Sequence, residues 1–225
     1  MNQFVENFGI LSQETFDRLK EANVMIVGLG GLGGHLANTL TRLGVNHLFL
    51  VDFDTFSMSN LNRQLFSNQK NIGKSKVMTI KEELIHIQPN LKVVIYNEHV
   101  EQLDQSITEQ IDFIFDAVDN IKTKLYLETL ATKHAIPLFH GAIGGYYGQV
   151  GIVMPGSHLL SSIYQNQEKG IEKELKSPSF TPAIIANMMA MEFIKFLSNK
   201  EKALINQLMM IDLFNHAYEI MLKKE

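Results

Sequence analysis

Three short runs carry residue types that act on phosphate. The first is Gly28-Leu29-Gly30-Gly31-Leu32-Gly33-Gly34, with G-x-G-x-x-G at Gly28, Gly30 and Gly33. Glycines in this spacing allow a tight turn and let the backbone approach a phosphate. They also pass the chain to a helix N-terminus with free N–H donors and partial positive charge. Asp52 lies 19 residues after Gly33, where an acidic side chain can accept from ribose hydroxyls. Together they mark a nucleotide site without separating a dinucleotide from ATP. The plainer alternative is that the glycines only allow close helix–strand packing.

The second run separates the two ligands. Asp52-Phe53-Asp54 is followed by Ser59-Asn60-Leu61-Asn62-Arg63-Gln64, then by Gly73, Lys74 and Lys76. A dinucleotide pyrophosphate held by a glycine turn has little use for a further Arg and Lys. A triphosphate carries more charge, which an Arg fork and a Lys point charge can neutralise. Taken singly, Lys74 and Lys76 read as solvated residues at a helix start. The third run is Asp116-Ala117-Val118-Asp119-Asn120. A carboxylate at a strand end can hold Mg²⁺ between phosphates, and Asp119 or Asn120 can equally cap the following helix.

The intervening pattern supplies elements to position these runs. Apolar strand-like runs at 23–28, 47–52, 92–96, 112–116 and 136–140 alternate with helix-period segments at 32–43, 74–87 and 121–135. Alternation of this kind implies a mostly parallel sheet covered on both faces. Beyond His140 the chain becomes glycine-rich, with strands expected at 149–154 and 208–213 and a helix at 181–197. Ser157 to Ser179 is weakly periodic and reads as a long functional loop.

Composition narrows the classes. The 225 residues suit one sizeable core. The absence of Cys excludes disulfides, thiolate zinc and a cysteine nucleophile. Twenty Lys and Arg against 24 Asp and Glu give a net charge of −4, which argues against a broad nucleic-acid surface. The first ten residues lack a basic segment followed by an apolar one, so no secretory signal is expected. The apolar stretch at 180–197 carries Asn187, Glu192 and Lys195 and reads as a packed helix, not a membrane span. A cytoplasmic protein is the expectation.

The combination GLGGLGG, LVDFD, SNLNRQ, GKSK, DAVDN and HGAIGGYYGQV resembles the ThiF/MoeB/HesA family, whose members resemble ubiquitin-activating enzymes. PSFTPAIIANMMAMEFIKFL is similar to the family's C-terminal helix. The resemblance implies an α/β, Rossmann-like fold. Its sheet would be mostly parallel, with helices on both faces and an antiparallel C-terminal extension. It implies one domain over 1–225. Within it lie a helical arm at 1–22, a nucleotide core at 23–140, and a carrier-binding and dimerisation part at 141–225 with a loop at about 157–179.

The implied chemistry is ATP- and Mg-dependent adenylation of the C-terminal carboxylate of a small ubiquitin-like sulfur carrier ending in Gly-Gly. By this resemblance Gly31 contacts the phosphates within the Gly28, Gly30 and Gly33 loop, and Asp52 binds the ribose. Asn60, Arg63 and Lys76 hold the triphosphate, with Gln64, Asp54, Ser59 and Asn62 around them. Asp119 ligates Mg²⁺ and Asn120 accompanies it. Arg63, Lys76 and Asp119 are the expected catalytic residues. A homodimer, a separate sulfur donor and no structural zinc are expected.

Two departures matter. The family usually carries an arginine before the first strand, whereas the first here is Arg18. Either Arg18 substitutes, or the γ-phosphate is held less tightly, or activity is reduced. Without cysteine, no thioester or acyl-disulfide can form on this chain. Two alternatives stay open: a relative of the tRNA threonylcarbamoyladenosine dehydratases, or an inactive nucleotide-binding partner subunit. A nicotinamide dehydrogenase is disfavoured, because it has no use for SNLNRQ and DAVDN.

Overall fold

A computed structural model describes residues 3–164, 175–198 and 200–222. Strands β1 (Asn23–Val27), β2 (His47–Val51), β3 (Lys92–Tyr96), β4 (Phe113–Asp116), β5 (Leu138–Gly144), β6 (Tyr147–Val153), β7 (Gln207–Asp212) and β8 (Ala217–Leu222) form one sheet. Their order is β3-β2-β1-β4-β5-β6-β7-β8. The first five are parallel, and the run from β5 to β8 is antiparallel. The expected architecture is therefore present, with its antiparallel extension.

Side-chain alternation splits the core between the two faces of the sheet. Val24 and Ile26 of β1 join Leu48 and Leu50 of β2 on one face, beneath helices α1 (Gln13–Glu21), α2 (Gly31–Leu43) and α3 (Lys76–Ile87). Met25 and Val27 join Phe49 and Val51 on the other, beneath α4 (Ile121–Lys133) and α5 (Leu159–Ile163). Buried on both faces, such strands read as continuous apolar runs. Helix α6 (Phe180–Ser198) lies against α2, β5 and β6 and buries Ile185, Met189 and Phe193. Its length and composition would suffice to cross a membrane. Here its buried Glu192 accepts from Lys195 and from the Leu204 amide.

The chain runs β1, β2, β3 outward and then returns to place β4 on the other side of β1. The crevice at such a reversal, outside the strand C-termini, is where open α/β sheets bind ligands.

Several boundaries differ from the sequence expectation. Helix α3 begins at Lys76 rather than Lys74. Residues 74 and 75 instead run beside Thr55 and Phe56, through Phe56 N–H to Lys74 O and a Thr55–Ser75 bridge. Strand β5 continues past His140 to Gly144 because β6 pairs with it through a tight hairpin. Two of the glycines that made this stretch look like loop, Gly141 and Gly148, sit under α6: a Cβ at Gly148 would fall 2.1 Å from Ile185 Cδ1. A turn at Leu213–His216, fixed by Asp212 accepting from the Phe214 and Asn215 amides, leads into the unforeseen strand β8. The expected loop at 157–179 contains α5, and residues 165–174 of that expectation lie outside the described residues.

Candidate nucleotide and adenylation site

A cleft of about 710 Å³ opens at the β1/β4 reversal. Its floor is the turn from β1 into α2. Gly28 has φ +86°, and Gly33 packs so tightly beneath it that an added Cβ would fall 1.8 Å from Gly28 O. Gly33 therefore does not line the cleft; it lets the helix N-terminus sit against the strand end. Gly28, Gly30 and Gly31 do line it. Close packing at Gly33 thus goes together with open backbone at Gly28, Gly30 and Gly31 on the cleft floor.

Asp52 extends from the end of β2. Its Oδ2 accepts from Leu29 N–H at 2.6 Å and its Oδ1 from Asp54 N–H at 2.8 Å. The carboxylate thereby ties the glycine turn to the following loop and still borders the cleft. Burial pushes its pKa above the ordinary aspartate value. The Lys76 ammonium and the two backbone donors pull the other way without cancelling the rise.

Lys76 is only 5% exposed, so it is not a solvated helix-end lysine. Its Nζ lies 2.8 Å from Asp54 Oδ2, while its backbone N–H donates to Asp54 O. Lys74 is exposed and outside the cleft. Arg63, Asn60 and Gln64 come from the turn after β2 and all line the cleft. Arg63 Nη1 donates to Ser59 O at 2.8 Å and Asn62 Oδ1 at 3.0 Å. Asn62 in turn donates to Ser177 O. Ser59 and Asn62 thus hold Arg63 from behind and do not border the cleft.

Asn60 Oδ1 caps its own short turn by accepting from Ser57 N–H at 3.0 Å. Gln64 is buried and its Oε1 has no hydrogen-bond partner among the described residues. Leaving such an atom unsatisfied costs about 1–3 kcal/mol, which favours a ligand that reaches it.

At the end of β4, the two readings of Asp119 and Asn120 separate. Asn120 is the helix cap: its Oδ1 accepts from Thr123 N–H at 2.8 Å. Asp119 is exposed on the cleft wall. Among the described residues, no group of three or more His, Asp or Glu could form a metal cage by itself. Mg²⁺ is commonly held by one or two carboxylates together with substrate phosphates, and Asp119 offers one carboxylate on the cleft wall.

Other residues of the cleft were not picked out from the sequence. Phe53 and His99 stack with centroids 3.7 Å apart, and both line the cleft. Thr123 Oγ1 donates to Glu101 Oε1 at 2.7 Å, joining α4 to the loop after β3. The available signal was positional: residues 97–102 follow a strand C-terminus, the edge that faces the crevice. His140 is fully buried and bonded to Asp116. Tyr146 and Tyr147 do not line the cleft; Tyr146 packs against Phe180 and Phe214. Arg18 donates to Leu197 O at the end of α6 and does not line this chain's own cleft.

The fold and cleft define a nucleotide-binding protein with a glycine turn, a strand-end carboxylate and two cations suited to a triphosphate. The pattern that defines the ThiF family matches residues 4–225, and the chain belongs to that family. The molybdopterin-synthase adenylyltransferase of Haemophilus influenzae is 32% identical over 216 residues, covering 92% of this chain and 88% of that one. The SUMO-activating enzyme subunit 2 of Dictyostelium discoideum is 29% identical over 148 residues, 65% of this chain. The chain spans about a fifth of that relative's length, 22%. A crystal structure of Escherichia coli MccB with ATP superposes with a TM-score of 0.80 over 99% of this chain and 71% of that one, at 20% identity, a likeness of fold. The chain is an adenylyltransferase of the ThiF/MoeB type.

Proposed function

We propose that this adenylyltransferase activates the C-terminal carboxylate of a small ubiquitin-like sulfur carrier ending in Gly-Gly. One observation carries the reading: a single cleft gathers Asp52, Arg63, Lys76 and Asp119 around the glycine turn. The carrier carboxylate attacks the α-phosphorus of ATP. An O–P bond forms, the bond from that phosphorus to the β-bridging oxygen breaks, and pyrophosphate leaves with the electron pair. The products are an acyl-adenylate and pyrophosphate.

Asp52 accepts from the ribose and so sets the position of the α-phosphate. Gly31 and the N-terminus of α2 face the phosphates with backbone dipoles. Arg63 and Lys76 oppose the charge that gathers on the leaving pyrophosphate, with Asn60 and Gln64 beside them. Asp119 would hold Mg²⁺, which when bound neutralises phosphate charge and fixes the geometry of the polyphosphate. No protein nucleophile is needed, and the absence of Cys leaves sulfur to a separate donor. The reading also carries a homodimer and a cytoplasmic location.

The position of Arg18, bonded to Leu197, favours one second reading, an inactive nucleotide-binding subunit. Carrier-dependent ATP–pyrophosphate exchange separates the two. Exchange that requires a Gly-Gly-ended carrier and is abolished by Asp119→Ala supports activation. ATP binding without exchange with any carrier supports the inactive subunit. Exchange driven by tRNA instead would assign the chain to the dehydratase branch.

A further inference from the structure

Behind the cleft wall lies a buried polar cluster that the nucleotide chemistry does not use. Asp116 ends β4, Lys124 projects from the start of α4, and His140 lies in β5; all three are at most 1% exposed. The His140 ring, through Nδ1, sits 2.7 Å from Asp116 Oδ2. Lys124 Nζ is 3.4 Å from each Asp116 oxygen and donates to Gly141 O at 3.1 Å. Beyond His140, Tyr164 OH donates to Gln149 Oε1 at 2.8 Å and lies 3.4 Å from His140 Nε2. Burial alone would raise the Asp116 pKa. The Lys124 ammonium and the hydrogen bond from His140 outweigh it and hold the carboxyl below its usual value.

A buried ion pair is weak evidence of stabilisation, since a well-packed apolar replacement is often as stable. The geometry gives the pair another use. Asp116 Oδ1 accepts from Val118 N–H at 3.2 Å. Val118 is the first residue of the turn Val118-Asp119-Asn120, and Asn120 closes that turn by capping α4. Just before it, Ala117 N–H donates to Val27 O at 2.9 Å, tying the same stretch to β1. Asp119 is thus the middle residue of a turn anchored on both sides, and Asp116 is the side-chain anchor on the strand side.

We infer that Asp116 is a positioning residue: oriented by His140 and balanced in charge by Lys124, its Oδ1 fixes the Val118–Asn120 turn so that Asp119 faces the metal–phosphate position. The inference rests on the proposed role of Asp119 as a magnesium ligand. Its consequence is a division of labour: Asp119 meets the metal, and Asp116 determines where Asp119 stands.

Two double variants isolate the hydrogen bond from the charge pair. Asp116→Leu with Lys124→Met removes the ion pair and the acceptor. Asp116→Asn with Lys124→Met removes the ion pair and keeps an oxygen for Val118 N–H. The readout is Mn²⁺ affinity by electron paramagnetic resonance in the presence of α,β-methylene ATP, with nucleotide affinity measured separately in chelator. Partners of metal ligands typically change metal affinity about 10–100-fold. The Leu/Met pair is therefore expected to weaken Mn²⁺ at least about tenfold while its metal-free nucleotide affinity stays within about twofold, and the Asn/Met pair to remain near wild type.

Equal Mn²⁺ affinity in wild type and a folded Leu/Met protein would overturn the inference, provided that Asp119→Ala does weaken the metal. If Asp119→Ala leaves Mn²⁺ binding unchanged, the metal assignment itself fails, and the positioning role with it. Should the Leu/Met pair not fold, His140 decides. His140→Asn places an amide nitrogen where Nδ1 stood and is expected to keep the metal affinity, whereas His140→Leu is expected to lose it. Equal affinity in those two proteins would also overturn the inference.

Discussion

Lys76 shows how a residue's surroundings convert a common side chain into a specific one. An exposed lysine at a helix start contributes little, and an exposed pair with a carboxylate is worth about 0–1 kcal/mol. Here the ammonium is buried at the edge of the cleft, with Asp54 as its ion-pair partner. A triphosphate entering the cleft offers it a second, denser set of oxygens. Lys76→Met is expected to lower the exchange rate about a hundredfold or more, the loss typical of removing one preorganised charge donor. The protein should keep its circular dichroism spectrum; near-normal exchange would remove Lys76 from the reaction.

Asp52 gives a pH signature at the same scale. Burial raises its folded-state pKa above the ordinary aspartate value. Folding therefore favours the protonated acid. Its contribution to stability is full below the ordinary pKa and is lost as pH rises through the raised one. In its proposed role as ribose acceptor, Asp52 acts in the ionised form. ATP affinity is expected to fall on acidification with a midpoint above the ordinary aspartate value, and that limb should be missing in Asp52→Asn. Calorimetric titration across the weakly acidic range would show whether the two proteins differ in this way.

The elements set these side chains in place through a few close approaches. Gly33→Ala would push a methyl group into Gly28 O. Overpacking of this kind costs about 1–3 kcal/mol, and here the displaced atoms are those of the glycine turn on the cleft floor. A lowered melting temperature together with lost ATP binding is expected; retention of both would mean that the turn tolerates the shift. Asn120→Ala removes the cap of α4, expected to cost about 1 kcal/mol in thermal or urea unfolding. Since the same residue closes the Asp119 turn, Mg²⁺ dependence should weaken alongside stability.

Much of this level was legible in the sequence. The five parallel strands were visible because strands buried on both faces are continuous apolar runs, and the glycine loop because its backbone demands glycine. Strand β8 was not visible. All its residues of described burial are exposed, Tyr218 and Ile220 among them, and its existence rests on pairing with β7. The cluster of Asp116, Lys124 and His140 was equally hidden, because its members come from a strand, a helix and a second strand that only the fold brings together. Ser59 and Asn62 were found by motif, but only the folded arrangement shows that they brace Arg63 and do not line the cleft. Phe53 and His99 lie 46 residues apart in the chain, and no local pattern links them.

At the scale of the whole molecule, one sheet serves two tasks. Its parallel half, ending at β5, presents the cleft at the reversal between β1 and β4. Its antiparallel half adds β6, β7 and the exposed β8. The aromatic group of Tyr146, Phe180 and Phe214 sits at the start of β6, and Ala142 and Ile143 of the paired strand β5 line the cleft. The proposed homodimer is expected to sediment as such at micromolar concentration, and a monomer would count against it. The family membership and adenylyltransferase class hold for the whole fold, whereas the identity of the activated carboxylate is a matter of chemistry at one phosphorus.

That chemistry is tested most directly by following label from ATP in a single turnover with a purified Gly-Gly-ended carrier. With ³²P at the α-position, the account predicts label that migrates with the carrier and is released as AMP on mild base treatment. With ³²P at the γ-position, label should appear in pyrophosphate and none on the carrier, and Asp119→Ala should abolish both signals. Carrier labelled from the γ-position, or ATP bound and left intact with carrier present, would contradict the central claim.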